Sequence, residues 1–166
     1  ATPARLKFLK SDRAETMQIK DTVQRLAMAH PQVEFSLNTD GKTVLTATAG
    51  PQHDLWEARR ARLGEVLGRE FAENVLPVEK ERDGVLLTGC AGVPTFNRGT
   101  SAHQYLFVNG RPVRDRLLLG VVRAAYQDFL ARDRHPVVAL FLDLPPELVD
   151  VHVHPAKTGV RVRDNP

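Results

Sequence analysis

Three arginines fall within six residues, at Arg111, Arg114 and Arg116. Each carries a planar guanidinium that gives charge-assisted, bidentate hydrogen bonds to anionic oxygens, so the trio suits a phosphate backbone. Asp115 stands among them, and pairing with it, or plain solvation, is the alternative use of the same charges. A second candidate is Lys157, a compact ammonium on a loop, of the kind that can reach a terminal phosphate in nucleotide sites. The third is the set Asp150, His152 and His154, which has the spacing of a His-x-His metal pair with a carboxylate beside it. Zinc would need further ligands and an orienting outer shell. Nothing in the contexts of His30, His53, His103 or His135 recommends them, so the set reads as the wet face of a strand and no metal is expected. Cys90 lacks a histidine partner by sequence and reads as a core residue. Neither G-x-x-x-x-G-K-S/T nor G-x-G-x-x-G occurs, so any nucleotide would have to be cradled by something outside this chain.

The elements that position these groups follow from periodicity. In the stretch before Lys157, Val149, Val151 and Val153 alternate with Asp150, His152 and His154, the pattern of a half-buried strand. Pro155 stops its pairing, Lys157 sits on a turn, and Val160 to Val162 resume as a second short strand. The arginines lie between a strand, Tyr105 to Val108, and a helix that Asp115 can cap. Asn109-Gly110 is the strongest hairpin signal in the chain, although Pro112 restricts how far pairing extends beyond it. The capped helix should bury Leu117, Leu118, Val121, Val122, Ala125 and Phe129, and the apolar run Val137 to Leu142 should be an interior strand.

Upstream, Asp12 and Glu15 have capping-box spacing, and Ile19, Val23, Leu26 and Ala27 form one stripe of a helix over 12–29. Two hairpins are expected, turning at Asp40-Gly41 and Asp83-Gly84. Between them a helix over 54–67 should present Trp56, Arg60, Leu63 and Leu67 on one face, with Val66 and Phe71 beside it. The segment 92–101, with Pro94, Asn97, Arg98 and Gly99, lacks periodicity and reads as a mobile surface loop.

The chain has 166 residues, 42% hydrophobic and 26% charged, which suits one globular domain with its own core. A lone cysteine excludes an internal disulfide, and no apolar run approaches the roughly 20 residues of a membrane span. The N-terminus lacks a signal-peptide core and begins without methionine, as a fragment of a longer protein would. The formal charge of +3 is informative only if the basic residues cluster.

Taken together, three blocks resemble the MutL family of DNA mismatch repair proteins: PARLKFLKS (Pro3 to Ser11), QYLFVNGRPVRDRLL (Gln104 to Leu118) and VDVHVHPAK (Val149 to Lys157). The resemblance implies an α/β fold like domain 2 of ribosomal protein S5, a mixed β-sheet backed by helices with a left-handed crossover. Residues 1–11 would be the connector from an ATPase module of the GHKL type, and 12–166 a single transducer domain. It implies that Lys157, the lysine of HPAK, reaches the terminal phosphate of ATP in the full-length protein, and that Arg116 binds DNA. Arg111 and Arg114 match the same run with a weaker expectation of phosphate contact. Asn109 and Gly110 match as turn formers. His152 departs from the family's usual asparagine. ATP and Mg would be held in the full-length protein and neither in this fragment, which would have no catalytic residue of its own. Partners would be the chain's own ATPase module, DNA without sequence preference, and MutS, in a homodimeric, cytoplasmic bacterial protein acting at the nucleoid, with no membrane role. The alternatives are the transducer of a type II topoisomerase or an Hsp90-like chaperone, or a stand-alone RNA-binding module like S5.

Overall fold

Three dipeptides that tolerate left-handed backbone make hairpin turns between consecutive strands. Asp40 and Gly41 have φ of 49° and 76°, Asp83 and Gly84 52° and 80°, and Asn109 and Gly110 47° and 79°. Positive φ at both central residues is what a two-residue hairpin loop requires. The computed structural model describes the backbone of residues 12–150 and 161–162 and the side chains of 13–148. The connector 1–11, His152, His154, Pro155 and Lys157 lie outside the described residues. The chain divides into two compact units, Ala1–Val66 and Leu67–Pro166.

The first unit contains helix α1 (Asp12–Ala29), as its periodicity predicts, and strands β1 (Phe35–Thr39) and β2 (Lys42–Ala47), paired antiparallel. The expected stripe on α1 is corrected. Ile19 and Leu26 are exposed, while Arg25, Ala27 and Met28 are buried. Burial is concentrated in the last turn, where Arg25 donates to Asp21 at 3.0 Å.

Helix α2 (Leu55–Glu73) is longer than the expected 54–67 and is interrupted at Gly68, whose backbone is not helical. Asp54 caps its start by accepting from the Glu57 amide at 3.1 Å. The expected face is again rotated: Ala58, Arg62 and Leu63 are buried, whereas Trp56 is 48% exposed and Arg60 lies in solvent. Arg62 explains the rotation. Its guanidinium donates to the carbonyls of Ala27, His30, Val33 and Thr48, the last two at the ends of the segments flanking the hairpin. The final carbonyls of a helix lack intrahelical donors, so a buried cation supplies what the end of α1 needs.

The second unit is built on a mixed five-stranded sheet in the order β3-β4-β9-β6-β7, in which only β6 and β9 pair in parallel. Its strands are β3 (Val75–Arg82), β4 (Val85–Gly92), β6 (Gln104–Val108), β7 (Arg111–Val113) and β9 (Val138–Asp143). A parallel pair needs a crossover connection, and helix α3 (Arg116–Tyr126) lies in it. β6 is buried at every residue because it is flanked by β9 and β7. On one face of the sheet Leu106, Val108, Val113 and Val138 form a core with Val122 of α3. Phe107, between Leu106 and Val108 and so on the opposite face of the sheet, stacks on Phe141 with ring centroids 4.5 Å apart.

The segment 92–101 is not the free loop that its composition predicts. Asn97 and Arg98 form a short strand, β5, paired with β8 (His135–Pro136). Phe96 anchors it, buried against the edge of the Phe71 ring. Absence of periodicity cannot reveal one buried aromatic. The strands expected around Lys157 are present at their near ends, where β10 (Val149–Asp150) pairs antiparallel with β11 (Arg161–Val162).

Candidate nucleic-acid interface

The arginine segment is held at both ends. On the strand side, the Asn109 amide donates to Leu142 O at 2.9 Å, and Asn109 Oδ1 accepts from the Leu144 amide at 2.8 Å. Asn109 is thus more than the turn former that its type predicts: it pins the turn to the end of β9. β7 pairs with β6 through Val108↔Arg111, Phe107↔Pro112 and Leu106↔Val113, so the pairing is short but continues one residue past Pro112. Val113 is 3% exposed and fixes the segment to the core.

On the helix side, Asp115 is the N-cap of α3. Its Oδ1 accepts from the Leu117 amide at 2.7 Å and the Leu118 amide at 3.3 Å, and its carbonyl accepts from Leu119. The carboxylate that could have neutralised the arginines therefore serves the helix start, which it also suits by charge. Because those amides are occupied, an anion arriving here would be held by guanidinium groups rather than by helix amides.

Arg111, Arg114 and Arg116 are all exposed on this pinned segment. Among the described residues, no ion pair involves Arg111 or Arg116. The salt-bridged alternative therefore has no carboxylate among the described residues to serve it at these two positions. What remains at these two positions is a pair of cations displayed in solvent, with exposed Arg114 between them, on backbone fixed by a strand pair and a capped helix. That arrangement can bind phosphate oxygens without reading bases.

The other candidates separate from this site. Lys157, His152 and His154 lie outside the described residues, as does the side chain of Asp150. Cys90 is a core residue, and burial pushes its thiol up to about 12, which removes it as a nucleophile near neutrality. Burial, aided by Cys90, also raises Tyr126, whose hydroxyl donates to Gly92 O at 2.7 Å. Burial lowers Arg62 from its ordinary range, with Glu65 opposing the shift. Arg62 and the side-chain role of Asn109 are the residues that sequence reasoning missed. A small residue one turn earlier, Ala58, is the only local hint that Arg62 faces inward.

Residues 63–166 match the family described as DNA mismatch repair protein, C-terminal domain. The chain is 62% identical over 164 residues to the DNA mismatch repair protein MutL of Rhodospirillum rubrum, covering 99% of this chain and 26% of that protein. It is 61% identical to MutL of Caulobacter vibrioides, covering 99% and 25%. The chain thus spans about a quarter of the length of these curated relatives. Among solved structures, it is similar to the Aquifex aeolicus MutL ATPase domain complexed with ADP, at 26% identity and a TM-score of 0.62, covering 87% of this chain and 48% of that one. The fold is also that of the N-terminal domain of a DNA repair protein, at a TM-score of 0.76 and 23% identity, covering 97% and 52%. No described helix is long and apolar enough to cross a membrane.

Proposed function

Because the chain belongs to the MutL family of DNA mismatch repair proteins, we propose that residues 12–166 act as one transducer domain within a full-length MutL. In this reading it couples the nucleotide state of a preceding ATPase module to DNA contact and to signalling toward MutS. One observation carries the reading: three exposed arginines on a segment pinned by Asn109 at one end and Asp115 at the other. Their chemistry suits the sugar-phosphate backbone of DNA, bound by charge and without sequence preference.

Nucleotide would be held mainly outside this chain. The similarity to an ADP-bound ATPase domain covers just under half of that protein, which supports a second module carrying the ATP and Mg site. Lys157 is the residue of this chain that would contribute, by placing an ammonium against the terminal phosphate. The reading assigns no catalytic residue to the chain alone. It also places the parent protein in the bacterial cytoplasm, acting at the nucleoid as a homodimer.

The test is Arg116→Glu in a full-length MutL carrying this chain. DNA affinity should fall and the salt slope become shallower, because each phosphate contact contributes a slope of about −0.9 on duplex DNA. DNA-stimulated ATP turnover should fall with it, while basal turnover persists. Unchanged affinity and slope would refute the DNA half of the reading.

A further inference from the structure

The chain is locally basic around α3. From Arg111 to Arg134 the sequence has six arginines, at 111, 114, 116, 123, 132 and 134, against three aspartates, at 115, 128 and 133. This stretch therefore carries a net +3, as do the shorter stretches 1–10 and 157–163, and acidic residues elsewhere offset the surplus. Arg116 and Arg123 are both exposed and lie seven residues apart on α3, so they share one face about 10 Å apart along the axis.

Between them on that face is Gly120. A glycine inside a helix is less stable than alanine there, and packing does not require this one: a Cβ added to it would meet nothing within 4 Å. The result is a bare patch of helix surface, exposed and bracketed by two guanidinium groups. Beyond Arg123 the basic track continues, because its Nη2 donates to the Arg132 carbonyl at 3.4 Å and so brings the Arg132 turn beside the helix. Arg134 follows, with Nε held by Asn97 Oδ1 at 2.6 Å. Asp128 and Asp133 are exposed nearby and lower the local excess without reversing it.

We propose that the Gly120 surface of α3, between Arg116 and Arg123, seats a DNA phosphodiester backbone, extending the contact made by Arg111, Arg114 and Arg116 toward Arg132 and Arg134. The proposal rests on the DNA-binding reading above and adds two residues to it, Arg123 as a phosphate ligand and Gly120 as the gap that lets the strand approach. Missing side-chain bulk and flanking cations do different work here. Bulk at Gly120 keeps the backbone away, whereas charge at Arg123 displaces counterions.

The experiment is fluorescence-anisotropy titration of a labelled DNA duplex over a range of salt, using a full-length MutL carrying this chain. Arg123→Gln should weaken binding several-fold and make the salt slope shallower by about one unit. Gly120→Leu should weaken binding about tenfold while the protein melts at least as high as the parent, since the added side chain enters open space. Arg116→Glu, measured in parallel, separates the two claims. If it binds poorly while Arg123→Gln and Gly120→Leu both match the parent in affinity and slope, the extension is wrong and the reading stands. If Arg116→Glu also matches the parent, the DNA-binding reading itself fails. Should Gly120→Leu not fold, the salt slope of the surface variant Arg123→Gln decides alone.

Discussion

At the scale of single residues, the first unit depends on the buried guanidinium of Arg62. Arg62 is 1% exposed and donates to four carbonyls, from Ala27, His30, Val33 and Thr48. Glu65 offers a distant carboxylate at 3.8 Å, while the Phe35 ring lies 5.6 Å from the guanidinium carbon. Arg62→Leu would remove the donors and leave the acceptors buried, at about 1–3 kcal/mol for each carbonyl that cannot reach water. The expected loss is about 3 kcal/mol or more, seen as a lower urea midpoint. Arg62→Lys should fall between, because an ammonium lacks the planar fork that serves several acceptors at once. A Leu variant within ~0.5 kcal/mol of the parent would show that the four contacts do not matter. Sequence reasoning missed this residue because the stripe drawn through Trp56, Leu63 and Leu67 took in Arg60 instead, and periodicity cannot tell which arginine finds buried carbonyls. The exposure of Arg111, Arg114 and Arg116 was legible because exposure is the ordinary state of their type.

At the scale of elements, local signals were reliable and rotational ones were not. All three hairpin turns and the whole of α1 fall where dipeptide chemistry and periodicity put them. The buried faces of the helices differ, with Leu117, Val121 and Phe129 exposed rather than inside. An α-helix rich in apolar residues on two sides does not say which side meets the sheet; the sheet decides, and it takes Val122 with Leu118, Leu119 and Tyr126. Asn109 shows how an element is fixed by a contact distant in sequence. Its left-handed backbone was legible, but its bond to Leu144 depends on β9 pairing beside β6. Asn109→Gly keeps the turn and loses the bond, which should cost about 1 kcal/mol and quicken hydrogen exchange at the Leu144 amide. Asn109→Val must also force a β-branched residue to positive φ, adding about 1–3 kcal/mol. Equal stability of the Gly and Val variants would refute this division between turn and latch.

At the scale of the whole molecule, family membership was legible because separate blocks recur in order, although no single block fixes a function. The formal charge of +3 said little as a total and more once placed, since α3 and its flanks form one of the chain's locally basic stretches. The proposed coupling joins this surface to Lys157, and the lysine can be tested by what it should not affect. An ammonium directed at the terminal phosphate of ATP has no such partner in ADP. Lys157→Ala in a full-length MutL carrying this chain should therefore leave ADP affinity unchanged. Loss of a charge-assisted hydrogen bond, about 1.5–3 kcal/mol, should slow ATP turnover roughly 10- to 150-fold if the contact strengthens in the transition state. Lys157→Arg would restore charge without the compact geometry, so partial recovery is expected. Steady-state turnover with ATP, beside calorimetric titration with ADP, separates the cases. Equal loss of ATP turnover and ADP affinity would place Lys157 in general support of the nucleotide site, and unchanged turnover would remove it from the mechanism.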